Sequence, residues 1–274
     1  MSNLTQRVIT SLIGAPLVVG LIYLGGWFFG GFILLIGLLA QWELYKLTEA
    51  GGALPLKSVG LVIGALLIVR ALFPLAVPLA VVGLIAVLVI ELWRRHEDPV
   101  RNLTATVFGV FYPALLVGYF VDLRVRGAEG MMGQEGAFLV TIVVIFAIWA
   151  SDTFAYFTGR AFGKHPLAPR ISPKKTIEGS VGGVFGAVLI VVAFKLALVP
   201  ALPMSWGDAA TIGVICGAVG QLGDLVESLL KRSVGVKDSG RYLPGHGGML
   251  DRIDAMVVAI PLVVLYLDWV REVM

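Results

Sequence analysis

Apolar side chains fall in runs of roughly 20 residues, the length a helix needs to cross the hydrocarbon core of a bilayer. Such runs predict about nine spans, near 8–25, 27–45, 57–73, 75–93, 103–121, 136–157, 180–200, 208–225 and 255–270. The first follows Arg7 and looks like the apolar core of a signal peptide. It is too long for one, and no small-x-small cleavage site precedes the next run, so it is read as a retained helix. The eighth is the weakest, because glycines at 213, 217, 220 and 223 dilute it. The predicted fold is therefore all-α: a polytopic integral membrane protein. Residues 1–102 form an N-terminal set of spans with short loops. Residues 103–274 carry two long polar loops, 158–179 and 226–254.

Charge orients these spans. Of the 21 Lys and Arg, only Arg124, Arg126 and Arg271 fall on the outer side and Arg70 and Lys195 lie within spans; the rest fall on the side of the N-terminus. By the positive-inside rule the N-terminus and both long loops are cytoplasmic. Arg70 and Lys195, near the outer ends of their spans, are expected to snorkel. The formal charge of +3 could suggest nucleic acid, but the basic residues gather at membrane borders, so no nucleic-acid partner is expected. A mean hydropathy of +0.92 with 58% hydrophobic and 14% charged residues excludes an ordinary soluble domain. The single Cys216 excludes an internal disulfide and is read as a packing residue. Gly182-x-x-x-Gly186 and Gly213-x-x-x-Gly217 fit close helix contacts, within one chain or between two.

The chemistry concentrates in residues 228–254, a polar, glycine-broken stretch of both charge signs. Asp251 and Asp254 are spaced i,i+3, on one face of a helix that begins near them. Asp224 sits at the predicted end of the eighth span. Three carboxylates flanking one loop suit Mg²⁺, a hard cation that takes oxygen ligands and leaves room for phosphate. The competing explanation is that Asp251 and Asp254 only cap the ninth helix. Pro244-Gly-His246-Gly247-Gly248 exposes backbone N–H groups able to receive anionic oxygens. Lys231, Arg232, Lys237, Arg241 and Arg252 are candidate phosphate contacts, weighed against simple membrane anchors, and His246 is another, weighed against a hydrogen-bonded structural histidine. In the sixth span, Asp152 costs about 2.5–3.5 kcal/mol at mid-membrane on the insertion scale and needs a partner or a watery cavity. Lys174, Lys175 and Thr176 lead into the seventh helix, whose N-terminus favours phosphate. The Gly159–Lys164 stretch is one residue short of a P-loop, lacks the Ser/Thr after Lys, and follows no strand.

The pattern Ser228-x-x-Lys231-Arg232-x4-Lys237-Asp238-x-Gly240-x-x-Leu243-Pro-Gly-His246-Gly247-Gly248-x-x-Asp251-Arg252-x-Asp254 closely resembles the signature of phosphatidate cytidylyltransferases (CDP-diacylglycerol synthases). Ser151-Asp152-Thr153 and Ser172-Pro-x-Lys175-Thr176-x-Glu178-Gly179 also resemble that family. The likeness covers the chain from about residue 100; the first hundred residues fit in hydropathy only. It implies CTP and phosphatidate as substrates, CDP-diacylglycerol and pyrophosphate as products, and Mg²⁺ as cofactor. It also implies a homodimer in a bacterial inner membrane. On that reading Asp224, Asp251 and Asp254 hold metal, with Lys231 and Arg232 also catalytic. Asp152, Lys175, Thr176, Lys237, Arg241, His246, Gly247, Gly248 and Arg252 bind substrate. Two rivals fit less well. A cation-coupled transporter would carry paired inverted halves, and the Asp-Gly-x-x-Ala-Arg motif of CDP-alcohol phosphotransferases is absent.

Overall fold

Each apolar run closes its backbone hydrogen bonds within itself, as a segment meant for lipid must. The computed structural model describes residues 3–94, 96–198, 202, 204–240 and 247–270, with side chains from residue 14 to 269. Among the described residues there are eleven α-helices: α1 (Asn3–Leu24), α2 (Gly26–Ala50), α3 (Lys57–Ile68), α4 (Ala76–Arg94), α5 (Pro99–Gly109), α6 (Leu116–Glu129), α7 (Gly133–Phe162), α8 (Ile177–Ala197), α9 (Trp206–Val214), α10 (Gly220–Ser233) and α11 (Leu250–Leu265). Short π-helical turns at Val110–Leu115 and Ile215–Val219 join α5 to α6 and α9 to α10, and a third, Tyr266–Val270, continues α11. Six of the resulting helices are long and apolar enough to cross a membrane: Gly26–Ala50, Ala76–Arg94, Pro99–Glu129, Gly133–Phe162, Ile177–Ala197 and Trp206–Ser233.

The all-helical expectation needs one correction. The loop after α7 carries an antiparallel pair, β1 (Pro166–Ala168) and β2 (Ser172–Thr176). Pro166, Pro169 and Pro173 cannot continue α7, and the chain pairs across a tight turn instead. Helix boundaries also move. α7 runs on to Phe162 and α10 to Ser233, so the polar stretches begin inside helices.

The chain divides into two compact units, Met1–Asp122 with Leu230–Ile253, and Leu123–Leu229 with Asp254–Met274. In the first, Ile63, Ala80, Val87 and Val110 form an apolar core. A buried polar set ties α2, α3 and α5 together. Gln41 Nε2 donates to the Gly60 carbonyl at 2.8 Å, and the Tyr45 hydroxyl donates to the Thr106 carbonyl at 3.0 Å. Glycine is required for that approach: a Cβ on Gly60 would lie 2.0 Å from the Tyr45 hydroxyl. Arg70 does not snorkel. Its guanidinium pairs with Asp122, donates to the Leu67 and Leu115 carbonyls, and lies 4.4 Å over the Tyr119 ring.

In the second unit α7 and α8 pack along small residues. A Cβ on Gly182 would lie 2.3 Å from Thr158 Oγ1, and one on Gly186 would lie 2.4 Å from the Phe154 ring. Gly213 and Gly217 meet α8 at Val188 and Val184, with the same 2.6 Å approach to each Cα. Both glycine pairs therefore serve contacts within the chain. Cys216 is fully buried in the π-turn, as its apolar neighbours predict.

Candidate active site

The second unit holds a cavity of about 410 Å³ lined by Asp152 and Arg160 of α7, Lys174, Lys175 and Thr176 of β2, and Gln221 and Asp224 of α10. Local rules place each group. Thr176 caps α8, its hydroxyl accepting the Gly179 N–H at 3.1 Å. Two residues on, Glu178 accepts the backbone N–H groups of Lys164 and His165 and meets His165 Nδ1 at 2.5 Å, fastening the exit of α7 to the start of α8. The strand between them then delivers Lys175, whose Nζ lies 2.5 Å from Asp224 Oδ2. Ser228, one turn along α10, donates to Asp224 Oδ1 at 3.3 Å. The pair is neither fully buried nor fully solvated, with side chains 27% and 31% exposed.

Asp224 thus sits within α10, nine residues before its end, rather than at a helix terminus. α11 passes the preceding residue closely. A Cβ on Gly223 would lie 2.4 Å from the Asp254 carbonyl oxygen. Gln221 is a residue that sequence reasoning missed. Gln221 Nε2 donates to the Gly217 carbonyl in the preceding π-turn at 2.7 Å and to the Ser180 carbonyl at 3.0 Å. Its place one turn before Asp224 was the available signal.

A second cluster belongs to the first unit. Lys231 Nζ lies 2.5 Å from Asp251 Oδ1, with each side chain 9% exposed. Asp251 Oδ2 accepts the Ser239 N–H at 3.0 Å and the Gly248 N–H at 2.8 Å, and lies 3.0 Å from the Ser239 hydroxyl, whose one proton it shares with Glu43. Reaching back three residues, Asp251 ties the turn before α11 to the helix's first turn. Gly247, at φ +77°, makes the turn that brings this N–H round. Buried Glu43 of α2 accepts the Met249 and Leu250 N–H groups at 2.8 Å each and the Ser239 hydroxyl at 2.9 Å. Sequence reasoning missed Glu43 as well, although a carboxylate inside an apolar run is itself a functional signal.

The remaining candidates are more dispersed. Arg232 donates to the Val236 carbonyl at 2.8 Å, closing the end of α10. Lys237 and Arg252 are exposed. Arg241 and His246 lie outside the described residues, as do Arg95 and Arg271. Among the described residues, no three His, Cys, Asp or Glu side chains gather closely enough to hold one metal ion.

Apolar helices of membrane-crossing length, with cations and carboxylates sharing a cavity between α7, β2 and α10, define the class: a multi-pass membrane protein with a charged polar site. The chain belongs to the cytidylyltransferase family, whose model matches residues 5–270. Similar proteins named phosphatidate cytidylyltransferase occur in Synechocystis sp. (34% identical, covering 94% of each chain) and Brucella abortus (36%, covering 97% of this chain and 94% of the relative). Another from Bacillus subtilis is 31% identical over 95% of this chain and 96% of its own length.

Proposed function

We propose that the chain transfers CMP from CTP to phosphatidate, giving CDP-diacylglycerol and pyrophosphate for phospholipid synthesis. The observation that carries this reading is the cavity where Lys174 and Lys175 adjoin Asp152 and Asp224; the near full-length relatives support it. A phosphatidate oxygen attacks the α-phosphorus of CTP, the bond from that phosphorus to the β-bridging oxygen breaks, and pyrophosphate leaves with the electron pair. The attacking phosphate is already ionised at neutral pH, so no strong general base is needed. The barrier is the approach of two anions, and fixed positive charge lowers it. Lys175 and the N-terminus of α8 at Thr176 supply that charge in the cavity. Lys231, Arg232, Lys237, Arg241, His246, Gly247, Gly248 and Arg252 are proposed as further phosphate contacts, and Asp152 as a nucleotide or metal contact.

The proposed cofactor is Mg²⁺. Asp224 and Asp254 fit it in donor chemistry, offering carboxylate oxygens, and Asp224 already has an ammonium on one oxygen. Asp251 fits less directly. Lys231, Ser239 and Gly248 take both its oxygens, so it would join the metal only by releasing Lys231. A bound ion would offset charge developing on the transferring phosphoryl group.

The finer topology is also proposed. The nine spans correspond to α1, α2, α3, α4, α5–α6, α7, α8, α9–α10 and α11 with its π-turn, with the N-terminus and active site cytoplasmic. The location is a bacterial inner membrane and the working unit a homodimer. Purified protein incubated with labelled CTP, Mg²⁺ and phosphatidate should move label into the lipid phase with one pyrophosphate per label. Label remaining wholly aqueous would refute the reading.

A further inference from the structure

Glu43 stands on the second apolar helix, far in sequence from the polar signature, yet its carboxylate is almost wholly enclosed, at 1% exposure. A carboxylate there is costly unless hydrogen bonds replace its lost water. Three do. Oε1 accepts the Met249 N–H at 2.8 Å, and Oε2 accepts the Leu250 N–H at 2.8 Å and the Ser239 hydroxyl at 2.9 Å. Backbone donors to an ionised acceptor are among the stronger hydrogen bonds, and these two sit at the positive end of the α11 dipole.

The surroundings are shaped to this carboxylate. A Cβ on Gly240 would lie 2.3 Å from Glu43 Oε1, and one on Gly248 would lie 2.5 Å from Oε2 and 2.1 Å from Ser239 Oγ. Only bare backbone fits on either side. Through Ser239 the contact passes to chemistry. The same hydroxyl is 3.0 Å from Asp251 Oδ2, whose carboxylate carries Lys231 on its other oxygen.

We infer that Glu43 is a positioning residue for the signature segment. It holds Ser239 and the first turn of α11, and through them sets the orientation of Asp251 and Lys231. This rests on the cytidylyl-transfer reading for its effect on rate, while the anchoring itself does not. Glu43→Gln keeps the size but turns an amide NH₂ toward a donor N–H, so one anchor becomes a repulsion. Ser239→Ala removes the bridge without uncovering a charge.

The test uses the full-length protein in detergent or bilayer. Steady-state kinetics are measured together with hydrogen exchange at the Met249 and Leu250 amides. Glu43→Gln should lower kcat about 10–100-fold, the range for removing a partner that orients a ligand, with KM for CTP little changed. The two amides should exchange at least about tenfold faster while those of α7 and α8 keep wild-type protection. Ser239→Ala should lower kcat in the same direction with α11 protection intact. A purely structural role would lower the fraction of folded protein and leave kcat per folded molecule unchanged. Kinetics and exchange both at wild-type values in Glu43→Gln would overturn the inference. So would wild-type kcat in Ser239→Ala, which also decides the matter if Glu43→Gln does not fold. Wild-type protein that transfers no label to lipid would instead count against the cytidylyl reading, with the exchange comparison still deciding the anchor.

Discussion

Replacing Lys231 by Met removes the ammonium from a pair that is 9% exposed on each side. Breaking a buried pair from one side costs about 3–5 kcal/mol, because the remaining charge stays desolvated. Asp251 retains the Ser239 and Gly248 N–H groups on Oδ2, and shares the single Ser239 hydroxyl proton with Glu43; hydrogen bonds to charged groups contribute about 1.5–3 kcal/mol each. The loss should therefore fall at the lower end, about 3 kcal/mol. At roughly 2–4 °C per kcal/mol for a chain of this size, thermal unfolding in detergent should shift down by about 6–12 °C. Asp251→Asn should cost a similar amount, since it leaves Lys231 facing an amide. The double variant Lys231→Met with Asp251→Asn leaves neither member of this pair facing a missing partner, so it should be more stable than the sum of the single losses implies, by at least about 1 kcal/mol. Near wild-type unfolding of Lys231→Met, or strict additivity across the cycle, would show that the two side chains do not support each other and would refute the reasoning. Activity alone would not discriminate, because both residues are proposed to serve the reaction.

Three further outcomes are expected. Asp224→Asn should lower label transfer to lipid at least about 100-fold, on the scale of losing a charged group that acts in the transition state, while circular dichroism shows the helices intact. Gly186→Leu drives its side chain into Phe154 and should destabilise by about 1–3 kcal/mol or more; Gly31→Leu, where a Cβ meets nothing within 4 Å, should leave the unfolding temperature nearly unchanged. Gln221→Leu removes the amide donor to the Gly217 and Ser180 carbonyls, at about 0.5–1.5 kcal/mol per hydrogen bond lost, and should lower the detergent unfolding temperature even without substrates.

Hydropathy made the helical segments legible because a lipid-facing run must be apolar around its whole circumference. Its edges were less legible. α10 continues past Asp224 to Ser233 as an amphipathic helix, and a rule that stops at polar residues ends it too early. The π-turns leave no comparable mark, since they differ from α-helix only in which carbonyl each N–H meets. Arg70 shows the same limit: its neighbours in sequence suggest snorkelling, whereas Asp122, fifty-two residues away, holds it inside.

What the sequence alone determined is the chemistry on offer: apolar spans, two polar stretches and a charged signature bearing Asp224, Lys231, Asp251 and Asp254. Residue types and local spacing carry that information, because hydrophobicity and capping act over a turn or two. Tertiary structure decided the pairings, Lys175 with Asp224, Lys231 with Asp251, and Glu43 with the start of α11. Each joins residues at least twenty positions apart, and which donor reaches which carboxylate follows from how those distant segments pack together.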